Sequence, residues 1–180
     1  VAAGIGWAVY IASRAGLPVS RAGAEEPPLP RVNYTREAAA FVRSLPALGS
    51  DDEIVGMAEA PYIVIPTLEL QTQIVELPFE NGTWAVDGLE TRIGHLEWTD
   101  APGGTGNTAL AGHYTLSDGS PGPLAHLSRL VPGDEITILA SGESYRYRVS
   151  GQDVIGDDFI DILYPAPIPS LTIITCAQWS

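Results

Sequence analysis

The chain has 180 residues, of which 45% are hydrophobic, and it carries a formal net charge of −13. Its nine basic residues are all arginine against 22 acidic residues, which argues against a nucleic-acid partner or a polybasic membrane patch. The single cysteine excludes an intrachain disulfide and a cysteine-based metal cluster. The length suits one domain, and 19 Gly with 15 Pro favour a turn-rich, mainly β fold.

The N-terminal segment is apolar and uncharged up to Arg14. It is shorter than the roughly 20 residues that span a bilayer, but it begins with Val rather than Met. We therefore interpret residues 1–16 as the remnant of a membrane anchor or of a signal peptide, with residues 22–24 as a small-residue cleavage site in the second case. Either origin predicts that the remaining chain lies outside the cytoplasm. An ordinary apolar helix is the alternative.

Residues 17–60 read as a linker with one short helix. The first half is rich in proline, which is typical of an extended spacer. Asn33 can cap a helix that runs to about Leu45, and Pro46 ends it.

The period of the hydrophobic pattern changes to that of strands at Pro61, so we assign the folded domain to residues 61–180. The spacing of Leu124, Leu127 and Leu130 predicts a short helix, and residues 150–169 predict a long acidic connection. Many short strands with little helix fit a closed or nearly closed barrel. The predicted strands are Tyr62–Ile65, Leu68–Val75, Thr83–Val86, Thr108–Ala111, Glu135–Ala140, Tyr145–Val149 and Leu171–Thr175.

Cys176 follows the last apolar strand, where a rigid element can present its thiol to a cleft. A thiol needs a nearby base to become a nucleophile. His113 also ends a predicted strand and is the preferred partner; His95 follows Gly94 in a predicted loop and is the second choice. His126 lies in the short helix and reads as a surface or packing residue.

Four segments resemble the motifs of one protein family, the sortases, in the order in which that family has them. Residues 172–176 (TIITC) resemble the family's Thr-Leu-x-Thr-Cys signature, and residues 106–113 (GNTALAGH) its histidine segment. Residues 127–136 (LSRLVPGDEI) resemble its Leu-x-x-Leu-x-x-Gly-Asp-x-Ile stretch, and residues 145–147 (YRY) its Tyr-x-Tyr strand. The spacing resembles class D or E sortases most.

The resemblance implies a membrane-anchored cysteine transpeptidase of Gram-positive bacteria, single-pass, with an extracellular catalytic domain. It implies an eight-stranded β-barrel that cleaves a Leu-Pro-x-Thr-Gly-like sorting signal after the threonine. Cys176 forms a thioacyl intermediate, which an amine of peptidoglycan or of a pilin resolves, and His113 is the general acid and base. Thr175, and less strongly His95, would contact the substrate.

The sequence departs from the family after Cys176. Sortases place an arginine on the strand that follows the cysteine, but residues 177–180 contain none. We therefore expect the eighth strand to be missing and the chain to have little activity.

No cofactor or metal is expected. The acidic residues Asp153, Asp157, Asp158 and Asp161 raise the option of calcium, but their spacing matches no EF-hand and favours a solvated loop. Two other functions stay open: a catalytically inactive barrel that binds peptide or cell-wall polymer, and an L,D-type transpeptidase, whose usual cysteine setting Cys176 lacks.

Overall fold

Ten strands and four 3-10 helices make up the part of the computed structural model that is described, residues 6–14, 60–155, 160–165 and 168–177. The 3-10 helices are Pro66–Leu68, Val86–Gly88, Leu127–Arg129 and Ile160–Leu163. The strands are β1 (Gly6–Arg14), β2 (Tyr62–Ile65), β3 (Leu70–Leu77), β4 (Phe79–Glu80), β5 (Thr83–Trp84), β6 (Ile93–Leu96), β7 (Asn107–Ala111), β8 (Glu135–Ala140), β9 (Glu143–Ile155) and β10 (Ser170–Ala177). The predicted helix at 33–45 lies outside the described residues.

Eight of these strands form a closed barrel in the order β1-β10-β7-β6-β3-β2-β8-β9, while β4 and β5 form a separate hairpin. The pairs β3–β6 and β7–β10 are parallel, and the other barrel pairs are antiparallel. The mainly β, barrel-type fold predicted from the sequence is confirmed.

The barrel has two apolar layers. Alternate side chains of its strands fill the interior, where Tyr147, Ile138 and Leu110 are at most 1% exposed. A second group, which we call the outer cluster, packs outside β3, β6 and β7 and consists of Leu77, Leu89, Leu96, Ala109 and Ala111. The strands around β7 are therefore covered on both faces.

The predicted strands at 62–65 and 135–140 match the observed bounds, and the others shift by a few residues at their ends. Two predictions are wrong in detail. His95 lies in strand β6 rather than in a loop, and β9 continues to Ile155, into the predicted connection. The helix expected from Leu124 onward is a turn followed by the short 3-10 helix Leu127–Arg129.

β1 fills the place beside β10 for which the sequence predicts no strand, so the described barrel has eight strands. It pairs antiparallel with β10 on one side and with β9 on the other. An uncharged apolar run suits a strand as well as a helix, and here it pairs with two strand edges that would otherwise be open. Among the described residues no helix is long and apolar enough to cross a membrane.

Candidate active site

Two strand ends bring Cys176 and His113 together. β10 runs parallel to β7 with Ile174 opposite Ala111. The pairing continues, since the Gly112 N–H donates to the Ile174 carbonyl at 3.1 Å. Two residues beyond the Ile174–Ala111 pair come Cys176 and His113. Because paired strands lie about 4.8 Å apart, this register places the thiol and the imidazole on neighbouring strand ends.

Both side chains belong to the outer face of the barrel. Ile173 of β10 and Leu110 of β7 point into the main core. Side chains alternate along a strand, so Cys176 falls on the opposite face, and His113 follows Ala111 of the outer cluster. Cys176 is partly buried and is not in a disulfide. Cys176 and His113 therefore both lie on the outer face of the barrel, at its edge.

The loop after His113 folds back and holds the histidine backbone. The Gly122 N–H donates to the Tyr114 carbonyl at 2.8 Å, and the Leu124 N–H donates to the His113 carbonyl at 3.1 Å. Leu124 itself is fully buried in the core. The barrel thus fixes the His113 backbone from both sides, through β7 and through this returning segment. Sequence reasoning missed Gly122, although its place between two prolines marks a turn.

Burial raises the pKa of the Cys176 thiol above its ordinary value. A desolvated thiolate is disfavoured because the charged form loses hydration. The Cys176 thiol is therefore protonated at neutral pH, and an imidazole on the neighbouring strand end is chemically suited to take up a thiol proton.

Thr175 ties the two catalytic strands together. Its side chain is 2% exposed, and its hydroxyl donates to the Gly112 carbonyl at 2.9 Å. The one proton of the Thr175 hydroxyl is therefore engaged in this hydrogen bond inside the barrel.

The sortase domain family model matches residues 63–180, about two thirds of the chain. The chain belongs to the sortase family.

Solved sortases share its fold. A Clostridium perfringens sortase D5 transpeptidase is 26% identical, with 81% of this chain and 82% of that one aligned and a TM-score of 0.56. Sortase A from Corynebacterium diphtheriae is 23% identical, over 81% and 74% of the two chains, with a TM-score of 0.56. Sortase C-1 from Actinomyces oris is 23% identical, over 88% and 82%, with a TM-score of 0.57. These near-equal scores support the family fold rather than one class. No curated protein matches the chain.

His95 of this sortase is enclosed by its own neighbours. Its side chain is 8% exposed; Nδ1 lies 3.1 Å from both carboxylate oxygens of Glu76, and Nε2 lies 3.0 Å from the Asp100 carbonyl. The Thr99 hydroxyl lies 3.2 Å from Nε2 and donates to a backbone carbonyl. Both ring nitrogens therefore face acceptors, and the geometry favours a structural role at the end of β6.

The two arginines of β9, Arg146 and Arg148, lie far from Cys176. Arg148 pairs with Ser13 of β1, whereas Cys176 pairs with Trp7, six residues away along β1. At about 3.3 Å per residue the separation is about 20 Å, and Arg146 lies farther still. Neither can take the place of the family's arginine.

Arg92 comes directly before β6. Gly94 of β6 is opposite Ala111, so Arg92 precedes this pair by two positions on one strand, as His113 follows it by two on the other. Its guanidinium donates to the Gly88 carbonyl at 2.7 Å, which fixes the 3-10 helix that precedes β6. Sequence reasoning did not consider Arg92, since the strand after it was not predicted.

Within the described ranges no group of three or more His, Cys, Asp or Glu side chains could hold a metal ion. Asp157 and Asp158 of the acidic loop lie outside those ranges.

Proposed function

We propose that this sortase is a cysteine transpeptidase that cleaves a Leu-Pro-x-Thr-Gly-like sorting signal between threonine and glycine. The observation that supports the proposal is the parallel register of β7 and β10, after which Cys176 and His113 follow on neighbouring strand ends. The acidic, non-basic composition suits a peptide substrate rather than nucleic acid.

Each step moves one proton through His113. The Cys176 sulfur bonds to the threonine carbonyl carbon while its proton passes to the imidazole. The bond to the glycine nitrogen then breaks, and the imidazolium gives its proton to that leaving amine, so a thioester remains. An amine of peptidoglycan or of a pilin attacks the thioester and loses its proton to His113. The C–S bond breaks, and the proton returns to the sulfur.

The acylation step is directly measurable. We expect mass spectrometry to detect a thioester between Cys176 and a Leu-Pro-x-Thr peptide, and its formation to disappear in Cys176→Ala and to slow strongly in His113→Ala. Peptide binding without any acylation would instead support the inactive peptide-binding barrel.

We also propose that the catalytic domain of residues 61–180 lies outside the cell membrane, and that residues 1–16 leave the β1 position of the barrel to anchor it there, with residues 17–60 as linker. Residues 6–14 cannot sit in the barrel and in a bilayer at once, which makes a deletion of residues 1–16 informative. Release from membranes with an unchanged Tm supports the anchor. A lower Tm with unchanged fractionation contradicts it and assigns the segment to the barrel alone.

A further inference from the structure

Trp98 is a large aromatic residue in a backbone conformation that favours glycine. It follows strand β6 at the third position of a tight turn, which the Thr99 N–H closes by donating to the Leu96 carbonyl at 3.2 Å. Its φ of 75° lies in the left-handed region, where a bulky side chain is an outlier. Trp98 is nevertheless 74% exposed, so burial in the core does not offset the strain. A strained aromatic residue on the surface points to a role in binding.

An aromatic stack holds Trp98 against the barrel. Its ring centroid lies 4.8 Å from that of Phe79 in strand β4, and the Phe79 centroid lies 4.9 Å from that of Trp84 in strand β5. Trp84 packs on the outer cluster. The turn is locked a second time, because the Thr99 hydroxyl also donates to the Leu96 carbonyl, at 2.8 Å. The exposed indole is therefore held in place without a ligand, and such preorganisation favours binding.

Acidic side chains flank this aromatic pair. Glu97 directly precedes Trp98, and its carboxylate accepts a hydrogen bond from the Phe79 N–H at 2.8 Å. Glu80 directly follows Phe79, and both glutamates are exposed. We call these four residues, Phe79, Glu80, Glu97 and Trp98, the Trp98 patch. The patch combines an exposed aromatic ring with negative charge.

The Trp98 patch lies apart from basic side chains and from the reacting pair. Arg92 is the one lysine or arginine in residues 61–128. It comes directly before β6 and Trp98 comes after it, so about 20 Å of strand separates the two. On the neighbouring strand, the Asp100 N–H donates to the Asn107 carbonyl at the start of β7, whereas His113 follows the end of β7.

We propose that the Trp98 patch is a docking site for a partner protein that presents an exposed lysine or arginine. A cation over the face of an aromatic ring is attracted by the ring electrons, most strongly by those of tryptophan. The two flanking carboxylates complement the same cation and repel anionic partners. This site is independent of acyl transfer by Cys176, because it lies toward the opposite end of β7 from His113.

A labelled hexapeptide of alternating alanine and arginine serves as the probe, and fluorescence anisotropy gives its Kd. The same peptide with citrulline in place of arginine keeps the shape and removes the charge. NMR of the 15N-labelled chain follows the indole N–H signals of its four tryptophans, and the signal missing in Trp98→Leu is that of Trp98. The rate at which iodoacetamide alkylates Cys176 reports the reacting pair.

Two pairs of variants separate the patch from the rest of the surface. Trp98→Leu keeps an apolar side chain in the same turn but has no aromatic face. Its control is Tyr164→Leu, at an aromatic residue that is 59% exposed on another segment. Glu97→Gln removes one charge of the patch and keeps an oxygen acceptor for the Phe79 N–H. Its control is Glu69→Gln, which makes the same charge change before β3, at the opposite end of that strand from the patch.

We expect the arginine peptide to shift the Trp98 indole signal and the citrulline peptide to leave it in place. For Trp98→Leu we expect about two- to fivefold weaker binding, the contribution of an exposed cation–π pair. For Glu97→Gln we expect a loss no larger than about fivefold, as for an exposed ion pair. For Tyr164→Leu and Glu69→Gln we expect the parent Kd. Saturating peptide should leave the alkylation rate of Cys176 unchanged.

Other outcomes would contradict this site. If the parent does not bind the arginine peptide, or binds the citrulline peptide as tightly, the patch does not select a cation. If either control variant weakens binding as much as Trp98→Leu does, the attraction is general to the acidic surface. If the peptide slows alkylation of Cys176, it binds at the reacting pair instead. If phosphatidylcholine vesicles change the Trp98 indole signal and the peptide does not, the patch meets a lipid surface rather than a protein.

Discussion

Gly122 lies against the backbone of His113 so closely that a side chain does not fit between them. A Cβ atom on Gly122 would overlap the His113 carbonyl oxygen and lie 2.7 Å from its carbonyl carbon. Backbone atoms cannot move aside as the end of a flexible side chain can, so Gly122→Ala must displace one of the two segments. We expect it to slow thioester formation by tenfold or more, because small misplacements of a reacting group cost about 100-fold.

A glycine with free space around it provides the control for Gly122→Ala. Gly88 has no atom within 4 Å of its would-be Cβ, so Gly88→Ala leaves the site undisturbed. Acylation rates and Tm of the two variants are to be compared. Equal rates in Gly122→Ala and the parent would show that the returning segment does not hold His113.

His113→Ala is expected to affect chemistry more than stability. The imidazole is only partly buried at the strand end, and its proposed role is to carry the proton of Cys176. We predict a loss of acylation of about 100-fold or more, within the range for a general acid–base residue, with little change in the urea midpoint. A variant that unfolds more easily but acylates normally would contradict this assignment.

His95→Ala is expected to show the opposite pattern. Its removal leaves the Asp100 carbonyl and other partners without the imidazole, so we predict a loss of about 1–3 kcal/mol in the free energy of unfolding. Because β6 holds it away from the reacting pair, iodoacetamide should alkylate Cys176 at the parent rate below the unfolding transition. Slower alkylation in a folded His95→Ala protein would instead indicate that His95 belongs to the active site.

The strands with regular alternation could be predicted from the sequence, and the ones with mixed neighbours could not. Tyr62–Ile65 and Glu135–Ala140 alternate or run apolar between turn residues, so their bounds follow from local pattern. Ile93–Leu96 contains a glycine and a histidine and becomes a strand only through its partners β3 and β7. β1 likewise depends on pairing with segments more than 100 residues away, which no local pattern encodes.

The strand ends that carry Cys176 and His113 could be predicted from the sequence, but the contacts that hold them could not. Cys176 and His113 end apolar strands, and the sequence motifs mark both. Asn107 lies within a recognised motif, yet its hydrogen bond to the Ile162 carbonyl joins residues 55 positions apart in the chain. Gly122 acts through a close contact with the His113 backbone, which the amino-acid sequence does not reveal. Long-range hydrogen bonds and close backbone approaches are properties of the assembled fold.

Thr175→Val tests whether the threonine beside the nucleophile acts through its hydroxyl. Valine has a similar shape and removes the hydrogen bond to the Gly112 carbonyl, so we expect a loss of about 1 kcal/mol in the free energy of unfolding. Since that hydroxyl is used inside the barrel, we expect acylation to fall less than tenfold in folded protein. A fall as large as that of His113→Ala would show that the hydroxyl contacts the reacting carbonyl instead.

The pH dependence of Cys176 reactivity follows from its burial. The raised pKa means that the thiol is neutral at pH 7, so the alkylation rate should climb with pH and reach its midpoint above that of a free cysteine, about 8.5.

The raised pKa of Cys176 also makes the stability of the fold depend on pH. The folded state holds the thiol proton more tightly than the unfolded state does. The contribution of this proton to the free energy of unfolding is therefore complete below the pKa of the unfolded state and is lost as pH rises through the pKa of the folded state. Between neutral and alkaline pH, the free energy of unfolding should therefore fall less for Cys176→Ala than for the parent. An alkylation midpoint below that of a free thiol would instead show a preformed thiolate–imidazolium pair.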